Sequence, residues 1–272
     1  MRLLCLDWRY PIMLITLTTD FGLQDCFVGI MKGVIARINP HVQVIDVTHG
    51  IPAQNIMVGA LALQHSIAYF PRGTIHVAVV DPGVGSARRP LLIECDGNYF
   101  IGPDNGVLSL AIGMLKPDYI VELSNPIYQL RPASATFHGR DIFAPAAAHL
   151  SLGVAPAAFG PKSASFLNLA RPKPRRRENT LEGEIVYIDA FGNLFTNIDG
   201  HDLTGPSVDH LEIAIGAVCV SGLSRSYGAA AVGHFVAVIN SWGLLEIAVY
   251  RGNAQKTTGA KIGDKVTVTF GA

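Results

Sequence analysis

The first half of the sequence alternates short β-branched runs with helical patterns, and this alternation limits the possible folds more than any other feature. Strands are predicted at residues 15–19, 42–47 and 74–80, with helices between them at 25–38 and 55–70. Strands joined by helices in this order require right-handed crossovers and form a largely parallel sheet. Because the strands are apolar almost throughout, we expect both faces of that sheet to be covered.

The α/β pattern continues to about residue 160 and contains one hairpin. Residues 90–95 and 99–102 are predicted as antiparallel strands, because the Asp-Gly pair between them favours a tight turn. Further helices are expected at 107–115 and 141–152. In the first helix, Phe27 is expected on the apolar face. We assign residues 1–160 to an N-terminal α/β domain.

The composition of the chain changes after residue 160. Residues 161–180 are rich in proline and contain the cluster Arg175, Arg176 and Arg177, and we interpret them as a solvated linker. Short strands with turn signals follow at 184–188, 194–198, 211–220, 235–240, 244–250 and 265–270. Closely spaced short strands without a long helix predict an all-β C-terminal barrel over residues 181–272.

Composition excludes several classes of protein. Hydrophobic residues make up 49% of the chain and charged residues 15%, which excludes a disordered protein. The 21 basic residues are balanced by 21 acidic residues, which argues against a nucleic-acid binder. The sequence predicts neither a membrane span nor a signal peptide, and Met13 is an alternative start. We therefore expect a cytoplasmic protein.

Cysteine and histidine spacing does not predict a metal site. The four cysteines, Cys5, Cys26, Cys95 and Cys219, form no CxxC pair and are expected to be reduced thiols. The nine histidines show no HExxH or H-x-H spacing. Catalysis by a bound metal is therefore not favoured.

Asp20 follows the first predicted strand in the segment TTDFG at residues 18–22. Ligands of open α/β sheets bind beside the carboxyl ends of the strands, so Asp20 is placed to meet one. A carboxylate suits a vicinal diol such as that of ribose, because its two oxygens accept from two hydroxyl groups. A role for Asp20 in capping the following turn is an equally good interpretation.

Asp81 and Arg88 lie in the segment DPGVGSARR at residues 81–89, directly after the third predicted strand. Gly83 and Gly85 allow the backbone to approach a ligand closely. The segment is neither a dinucleotide fingerprint nor a Walker loop, since it lacks a third glycine and the G-K-[ST] ending. Asp81 and Arg88 are predicted to form an ion pair, either in a site or as a structural latch.

His138 lies in the segment FHGRD at residues 137–141, where a loop meets a predicted helix. We expect Asp141 to cap that helix and His138 to be presented at the surface of a site. A buried core histidine is the alternative.

Two turns of the second half place polar side chains beside an aromatic residue and a glycine. They are DAFGN, with Asp189, Phe191 and Asn193, and NSWG, with Ser241 and Trp242. This combination suits a flat heterocycle, and ordinary β-turns are the alternative.

Together these segments resemble one family, the S-adenosyl-L-methionine hydrolases (hydroxide adenosyltransferases), which are related to fluorinating and chlorinating enzymes acting on the same substrate. The resemblance runs from Met13 to the chain end and rests on TTDFG, VDPGVGSARR, FHGRD, DAFGN and INSWGLLEIAV, in that order. It implies an N-terminal α/β domain, a C-terminal β-barrel and a homotrimer with substrate between subunits. The implied reaction converts S-adenosyl-L-methionine and water into adenosine and L-methionine, without a metal or cofactor.

The resemblance also implies roles for individual residues. Asp81, Arg88 and His138 match the set that holds and activates water, and Asp20 matches the carboxylate that binds the ribose hydroxyls. The implied substrate-binding set is Asp20, Asp25, Phe137, Asp189, Phe191, Asn193, Ser241, Trp242, Glu246 and Val249.

Within that set, the second-half residues match different parts of the substrate. Asp189 and Ser241 correspond to contacts with the methionine end, whereas Phe191 and Asn193 correspond to the wall and edge of the adenine site. Trp242 stands where the fluorinating relatives have an arginine, so recognition of the methionine carboxylate is expected to differ.

Other departures from the halogenating relatives favour water as the nucleophile. Those enzymes have a tyrosine in place of Asp81, a Tyr-Ser pair in place of His138 and Gly139, and a long insertion at the short turn 96–98. A carboxylate would repel a halide ion in a desolvated pocket. Water is therefore the expected nucleophile.

Three alternative functions stay open on the sequence alone. They are a non-catalytic adenosine or S-adenosylmethionine sensor, a halide-using relative, and a metal-dependent phosphoester hydrolase that would use Asp20, Asp25, Asp81, Asp104 and His138. Within the leading interpretation, the general base is open between Asp81 and His138, with Arg88 as electrostatic support.

Overall fold

The predicted alternation of strands and helices is present in the computed structural model, which describes residues 13–113, 115–203 and 210–271. The chain divides into two units, the first ending at Leu169 and the second beginning at Ala170. The first twelve residues, which include Cys5, lie outside the described residues. The interpretation of Met13 as an alternative start is therefore not tested.

The first unit has the α/β architecture expected from the sequence. Its elements are β1 (Leu14–Thr19), α1 (Phe27–Ile38), β2 (Gln43–Thr48), α2 (Ile56–Ser66), β3 (Ile75–Val79), β4 (Pro90–Cys95), β5 (Asn98–Pro103), α3 (Ser109–Ile112), β6 (Tyr119–Glu122) and α4 (Ala144–Ser151). The sheet order is β2-β1-β3-β5-β4-β6. Strands β2, β1, β3 and β5 pair in parallel, whereas β4 pairs antiparallel with both β5 and β6.

The strand order places a topological switch point between β1 and β3. The chain leaves β1 through α1 to reach β2 on one side, and then returns through α2 to β3 on the other side. The loops that follow β1 and β3 therefore diverge from neighbouring strands at the same edge of the sheet, which is where open α/β sheets bind ligands.

The core of the first unit lies between this sheet and its helices. Helix α4 contributes small side chains to it, and Ala144, Ala146, Ala147 and Ala148 are all buried there. The core also encloses His76 of β3, whose Nδ1 atom lies 2.9 Å from Oγ1 of Thr16. Burial lowers the pKa of His76 to about 4, so its imidazole is neutral at pH 7.

The predicted hairpin is confirmed, and the helix at 107–115 is wrong in length. Asp96 and Gly97 both have positive φ angles, of 47° and 71°, as a tight hairpin turn requires. The helix covers only Ser109–Ile112, because Gly113 takes a φ of 60° and ends it. Strand β6, which the sequence analysis did not predict, forms the edge of the sheet.

The prediction that Asp141 caps a helix is wrong. A five-residue π-helical turn, Gly139–Phe143, precedes α4 and contains Asp141. This carboxylate is 1% exposed, accepts from Nε of Arg140 at 2.6 Å and accepts from the Ser134 amide at 2.8 Å. Asp141 therefore ties the turn to the preceding loop.

The second unit is all-β except for short helices. It contains β7 (Arg175–Arg177), β8 (Thr180–Ile188), β9 (Leu194–Asp199), β10 (Leu211–Ile215), β11 (Val218–Ser221), β12 (Phe235–Ile239), β13 (Leu244–Val249), α5 (Ala254–Thr258) and β14 (Lys265–Phe270). The antiparallel strands follow the order β11-β10-β14-β8-β9-β13-β12, with β7 paired to β8, and form the expected barrel-like sheet. Its apolar core includes Ile185, Ile213, Leu245 and Val268.

Two segments of the second half differ from their predicted structures. The single strand expected at 211–220 is a hairpin, because Gly216 adopts a φ of 55° between β10 and β11. The arginine cluster assigned to the linker forms the exposed strand β7.

The beginning of the predicted linker is bonded to the first unit. Arg89 donates to Oγ of Ser163 at 2.7 Å and to Oδ2 of Asp104 at 2.5 Å, while Oδ1 of Asp104 accepts from the Leu167 amide at 2.7 Å. Within the part of the chain that the structure describes, no helix is long and apolar enough to cross a membrane.

Candidate active site

A cavity of about 430 Å³ opens at the switch point of the first unit. Its walls are formed by Asp20, Phe21, Phe27, Ala53, Gln54, Val79, Asp81, Pro82, Val84, Thr136, Phe137, His138 and Gly139. The loops after β1 and β3 and the loop before the π-helical turn all contribute. The three first-half segments singled out in the sequence therefore meet around one space.

Asp81, Arg88 and His138 form a hydrogen-bonded set at this cavity. Nε of Arg88 lies 3.0 Å from each carboxylate oxygen of Asp81, and Nη2 lies 2.5 Å from Oδ2. The same Nη2 atom lies 2.6 Å from Nδ1 of His138. The side chains of Asp81 and Arg88 are only 5% and 9% exposed, so the predicted ion pair is confirmed and is shielded from solvent.

The loop that carries Asp81 packs directly against the loop that carries His138. Gly85 has a φ of 77°, and a Cβ atom there would lie 2.4 Å from the carbonyl oxygen of Ala135. A larger residue would separate the two loops. Gly85, which the sequence analysis interpreted as a place for ligand approach, therefore allows loop to pack against loop.

The contact with Arg88 determines the tautomer of His138. A guanidinium group has only donors, so Nδ1 of His138 must accept and a neutral ring carries its proton on Nε2. Partial burial lowers the pKa of His138, and the charge of Arg88 lowers it further. The neutral ring is therefore the stable form at neutral pH, and it presents an N–H group rather than a second lone pair.

One nitrogen of the Arg88 guanidinium makes no hydrogen bond to the described residues. This atom, Nη1, is buried. The guanidinium also lies 5.4 Å above the ring of Phe143. A buried, unpaired donor is costly in a folded protein, and such groups are typical of sites that bind a ligand or water.

Asp20 also lines the cavity, and the neighbouring loop orients its carboxylate. Oδ2 of Asp20 accepts from the backbone amide of Gln54 at 2.8 Å. Gln54 belongs to the loop between β2 and α2 and has a φ of 65°. The turn-capping role considered for Asp20 is thus replaced by a bond between two loops, and this bond uses Oδ2.

Three aromatic rings form another wall of the cavity. Phe137 packs edge-to-face against Phe21, at 5.8 Å between centroids, and against Phe27, at 5.2 Å. Phe27 was predicted on the apolar face of α1, but its side chain is 42% exposed and lines the cavity instead. Phe21, Phe27 and Gln54 were missed as site residues. Only Phe21, inside TTDFG, carried a sequence signal, because the other two reach the cavity through tertiary packing.

Not every predicted first-half residue reaches the cavity. Asp25 is exposed and is not part of its lining. Asp104 is paired with Arg89 and is not part of the lining either. The five residues of the metal-hydrolase alternative are therefore not gathered at this cavity, and the described residues contain no group of three or more His, Cys, Asp or Glu that could hold a metal ion.

In the second unit, Asp189 organises the DAFGN turn. Its Oδ1 atom accepts from the amides of Phe191, at 2.9 Å, and Asn193, at 2.8 Å, while Oδ2 accepts from Nδ2 of Asn193 at 3.0 Å. Gly192 closes the turn with a φ of 83°, and any Cβ there would lie 2.2 Å from Asn253. The result is a rigid turn whose Phe191 ring is 75% exposed.

Ser241 and Trp242 lie in the turn between β12 and β13. Ser241 is exposed, and the amide of Trp242 donates to Oδ1 of Asn240 at 2.9 Å. The indole ring packs against Tyr187 and Phe195, at centroid distances of 4.8 and 5.0 Å. These rings form an aromatic cluster that the sequence signalled only through Trp242.

Glu246 and Val249 lie on strand β13. Val249 belongs to the barrel core, whereas Glu246, an odd number of residues away, points to the opposite face of the strand. Glu246 is fully buried, and its Oε1 atom accepts from the Tyr227 hydroxyl at 2.8 Å. Burial raises the pKa of Glu246, although the nearby Tyr227 hydroxyl and Asn240 amide act in the opposite direction.

Known proteins match this chain along most of its length. The models of the SAM hydroxide adenosyltransferase N-terminal and C-terminal domains match residues 15–160 and 183–267. A (R)-S-adenosyl-L-methionine hydrolase from Thermus thermophilus is 40% identical over 253 residues, covering 90% of this chain and 95% of the relative. A fluorinase from Actinoplanes is more distant, with 27% identity over 289 residues, 94% of this chain and 97% of the relative.

The fold has a close match among solved structures. An uncharacterized conserved protein from Thermotoga maritima superposes with a TM-score of 0.87 and 34% identity, over 94% of this chain and 100% of the other. Both domain models and relatives above 30% identity thus agree with the motifs around the cavity. The chain belongs to the SAM hydroxide adenosyltransferase family.

Proposed function

We propose that this protein hydrolyses S-adenosyl-L-methionine to adenosine and L-methionine. The observation that carries the proposal is the shielded Asp81–Arg88–His138 set beside a cavity that also contains Asp20. Family membership and a relative named (R)-S-adenosyl-L-methionine hydrolase support the same activity.

In this reaction water attacks the 5′ carbon of the ribose as the sulfonium leaves. A C–O bond forms, the C–S bond breaks, and its electron pair neutralises the sulfonium to give the thioether of methionine. The leaving group therefore needs no general acid. The protein has to place one water in line with the C–S bond and accept one proton, and such positioning contributes about 7–11 kcal/mol in favourable cases.

The hydrogen bonds of the site support separate roles for Asp81 and His138. With Nδ1 of His138 occupied by Arg88, the ring has a donor rather than a free lone pair for the water. Asp81, which has further lone pairs on both oxygens, then accepts the proton. His138 orients the water through Nε2–H, and the unpaired Nη1 of Arg88 is a second donor available to the developing hydroxide.

Charge at the cavity favours a cationic substrate and disfavours a halide nucleophile. Asp20 and Asp81 both line it, and Arg88 balances only one of these two charges, so a negative charge is left that attracts a sulfonium ion and repels an anion in a low-dielectric site. Asp20 binds the ribose diol through the oxygen that Gln54 does not hold. Phe21, Phe27 and Phe137 limit the access of bulk water on one side.

Further parts of the proposal rest on the family resemblance. Asp25, Asp189, Phe191, Asn193, Ser241, Trp242, Glu246 and Val249 belong to the substrate-binding set, in a cytoplasmic homotrimer that needs no metal or cofactor. Light scattering of the purified protein tests the trimer, because the measured mass should be three times that of one chain. Treatment with a chelator tests the independence from metal, and turnover should stay unchanged.

The reaction is tested by incubating the protein with S-adenosyl-L-methionine in ¹⁸O-labelled water. We expect one heavy oxygen in the adenosine and none in the methionine, because C5′ is the carbon attacked. Heavy oxygen elsewhere, or turnover without label in adenosine, would overturn the mechanism. Stoichiometric binding without adenosine release would instead indicate a sensor, and a halogenated nucleoside in excess chloride or fluoride would indicate a halide-using enzyme.

A further inference from the structure

Two threonines of β1 each bond a buried histidine of a neighbouring strand or loop. Oγ1 of Thr19 lies 2.8 Å from Nδ1 of His49, and Oγ1 of Thr16 lies 2.9 Å from Nδ1 of His76. His49 and His76 are 5% and 0% exposed. The two pairs are alike at the Thr–His contact, but only the first one leads to the cavity.

His49 is part of a chain of polar contacts that ends at the cavity wall. Its Nε2 atom lies 3.1 Å from Oδ1 of Asp46, within ion-pair distance although not aligned as a hydrogen bond. Its Nδ1 atom meets Thr19, whose Oγ1 accepts from the amide of Phe21 at 3.2 Å. Asp46 is in turn held by Nζ of Lys32 at 2.6 Å.

The polar groups in this chain have consistent donor and acceptor roles. Asp46 is anionic, since Lys32 and His49 lower its pKa against the opposing effect of burial. An anionic Asp46 favours a proton on Nε2 of His49, which leaves Nδ1 to accept from the Thr19 hydroxyl. The lone pairs of Thr19 Oγ1 are then free to accept from the Phe21 amide.

His49 also joins the two loops that hold the Asp20 carboxylate. Its carbonyl oxygen accepts from the amide of Gly22 at 2.8 Å, just beyond Asp20. Five residues after His49, the amide of Gln54 bonds the Asp20 carboxylate itself. Side-chain and backbone bonds of His49 thus restrain residues 20–22 from both sides.

We propose that His49 is a positioning residue, which fixes the Asp20–Gly22 loop for binding of the ribose end of the substrate. His49 is not among the residues that line the cavity, so it acts through Thr19, Phe21 and Gly22 rather than by touching the substrate. The inference rests on the proposed function for the identity of the substrate. It predicts a defect in binding rather than in the chemical step, because the Asp81–Arg88–His138 bonds do not involve His49.

The test compares His49→Leu and His49→Asn with the control His76→Leu. His49→Leu and His76→Leu each remove one buried Thr–His hydrogen bond of strand β1. His49→Asn instead keeps a polar atom near the position of Nδ1. Steady-state KM and kcat, adenosine affinity by calorimetry, amide hydrogen exchange at Phe21 and Gly22, and Tm are measured on each full-length protein.

For His49→Leu we expect KM for S-adenosyl-L-methionine to rise about tenfold, the effect expected when the loss of one buried hydrogen bond falls on binding. We expect kcat to change less, adenosine affinity to fall in parallel, and exchange at Phe21 and Gly22 to accelerate. His49→Asn should recover much of the affinity. His76→Leu should lower Tm while leaving KM and both exchange rates near those of the wild type.

A His49→Leu variant with wild-type KM and exchange rates, and with Tm lowered like that of His76→Leu, would overturn the inference. A fall in kcat at constant KM would also overturn it. If the wild type itself releases no adenosine, the proposed function fails. Exchange at Phe21 and Gly22 then still decides whether His49 positions the loop.

Discussion

Asp81 in the first unit and Asp189 in the second both lie within two residues of a strand end, but their carboxylates have different partners. Asp81 is paired with the side chain of Arg88 and borders a cavity. Asp189 is bonded to the amides and side chain of its own turn. A carboxylate held by another side chain beside a cavity can accept a proton, whereas one used by its own turn shapes a surface. The comparison therefore predicts chemistry in the first unit and substrate recognition in the second.

The largest effect should follow Asp81→Asn. The amide cannot accept the proton of the attacking water, so kcat should fall by about 10²–10⁴-fold, the usual contribution of a positioned base. KM should change much less. Single-turnover release of adenosine measures the step directly.

Asp96→Asn is the matched control for Asp81→Asn. Asp96, in the β4–β5 turn, is also paired with an arginine, Arg72 of the segment before β3, but both side chains are exposed. This variant should keep wild-type kcat. Equal losses in the two variants, or an active Asp81→Asn protein, would contradict the chemical role of Asp81.

His138→Gln should give the next largest effect, a loss in kcat of about 10²-fold. Because burial and Arg88 lower the pKa of His138, the wild-type ring stays neutral until the pH falls below its ordinary value of 6.5. In the wild type, the fall of kcat on the acid side of the pH–rate profile should therefore lie below pH 6.5. In His138→Gln, the part of that fall caused by protonation of His138 should be absent. His149, another half-buried histidine with a lowered pKa, is the control, and His149→Gln should leave kcat and the profile unchanged.

Phe191→Ala tests the recognition role of the second unit. Stacking of a base on an aromatic ring contributes about 1–3 kcal/mol, so KM should rise about tenfold with a smaller change in kcat. Since the ring is 75% exposed, Tm should hardly change. Val232, 63% exposed in the same unit, is the control, and Val232→Ala should leave KM unchanged. A kcat defect as large as that of Asp81→Asn would remove the distinction between the units.

The smallest effect should come from Glu246→Gln and concern stability. Burial raises the pKa of Glu246 above 4.5, so the folded state favours the neutral carboxyl. The associated stability is complete below the unfolded pKa and is lost as the pH rises through the folded one. Glutamine stays neutral, so its Tm advantage over the wild type should grow from pH 4 to pH 8.

The exposed Glu212 of β10 provides the comparison for Glu246. Glu212→Gln should give no pH-dependent change in Tm relative to the wild type. If Glu246→Gln lowered Tm more at pH 8 than at pH 4, the prediction would be wrong, because the ionised carboxylate would then stabilise the folded protein.

Local patterns predicted the fold class correctly, and they predicted that the loops carrying Asp20 and Asp81 lie at one edge of the sheet, as the structure shows. The alternation of strand and helix patterns implied a parallel sheet, and loops after parallel strands meet at one edge, so Asp20 and Asp81 were expected near a ligand. The Asp81–Arg88 pair was also predicted from spacing, since two residues seven positions apart across a loop with two glycines can fold back onto each other. Asp25 was placed in the substrate-binding set by resemblance, and it does not line the cavity.

Other features had no local signal because they depend on contacts between distant residues. Phe27 has the spacing of a core residue, and only the position of Phe137 makes it a cavity wall. Asp141 has the position of a helix cap, but Arg140 and the Ser134 amide draw it into a π-helical turn. His49 was an unremarked histidine until β1 placed Thr19 beside it.

The sequence by itself determined the two architectures, the family and the motifs that contain the proposed reactive side chains. These properties are carried by periodicity, turn residues and motif order, all of which are local. The tertiary structure decided which side chains share the cavity, which nitrogen of His138 faces Arg88, and how His49 restrains the Asp20 loop. Such relations depend on distances of about 3 Å between residues far apart in the chain, and hydrogen bonds weaken steeply away from that distance and direction.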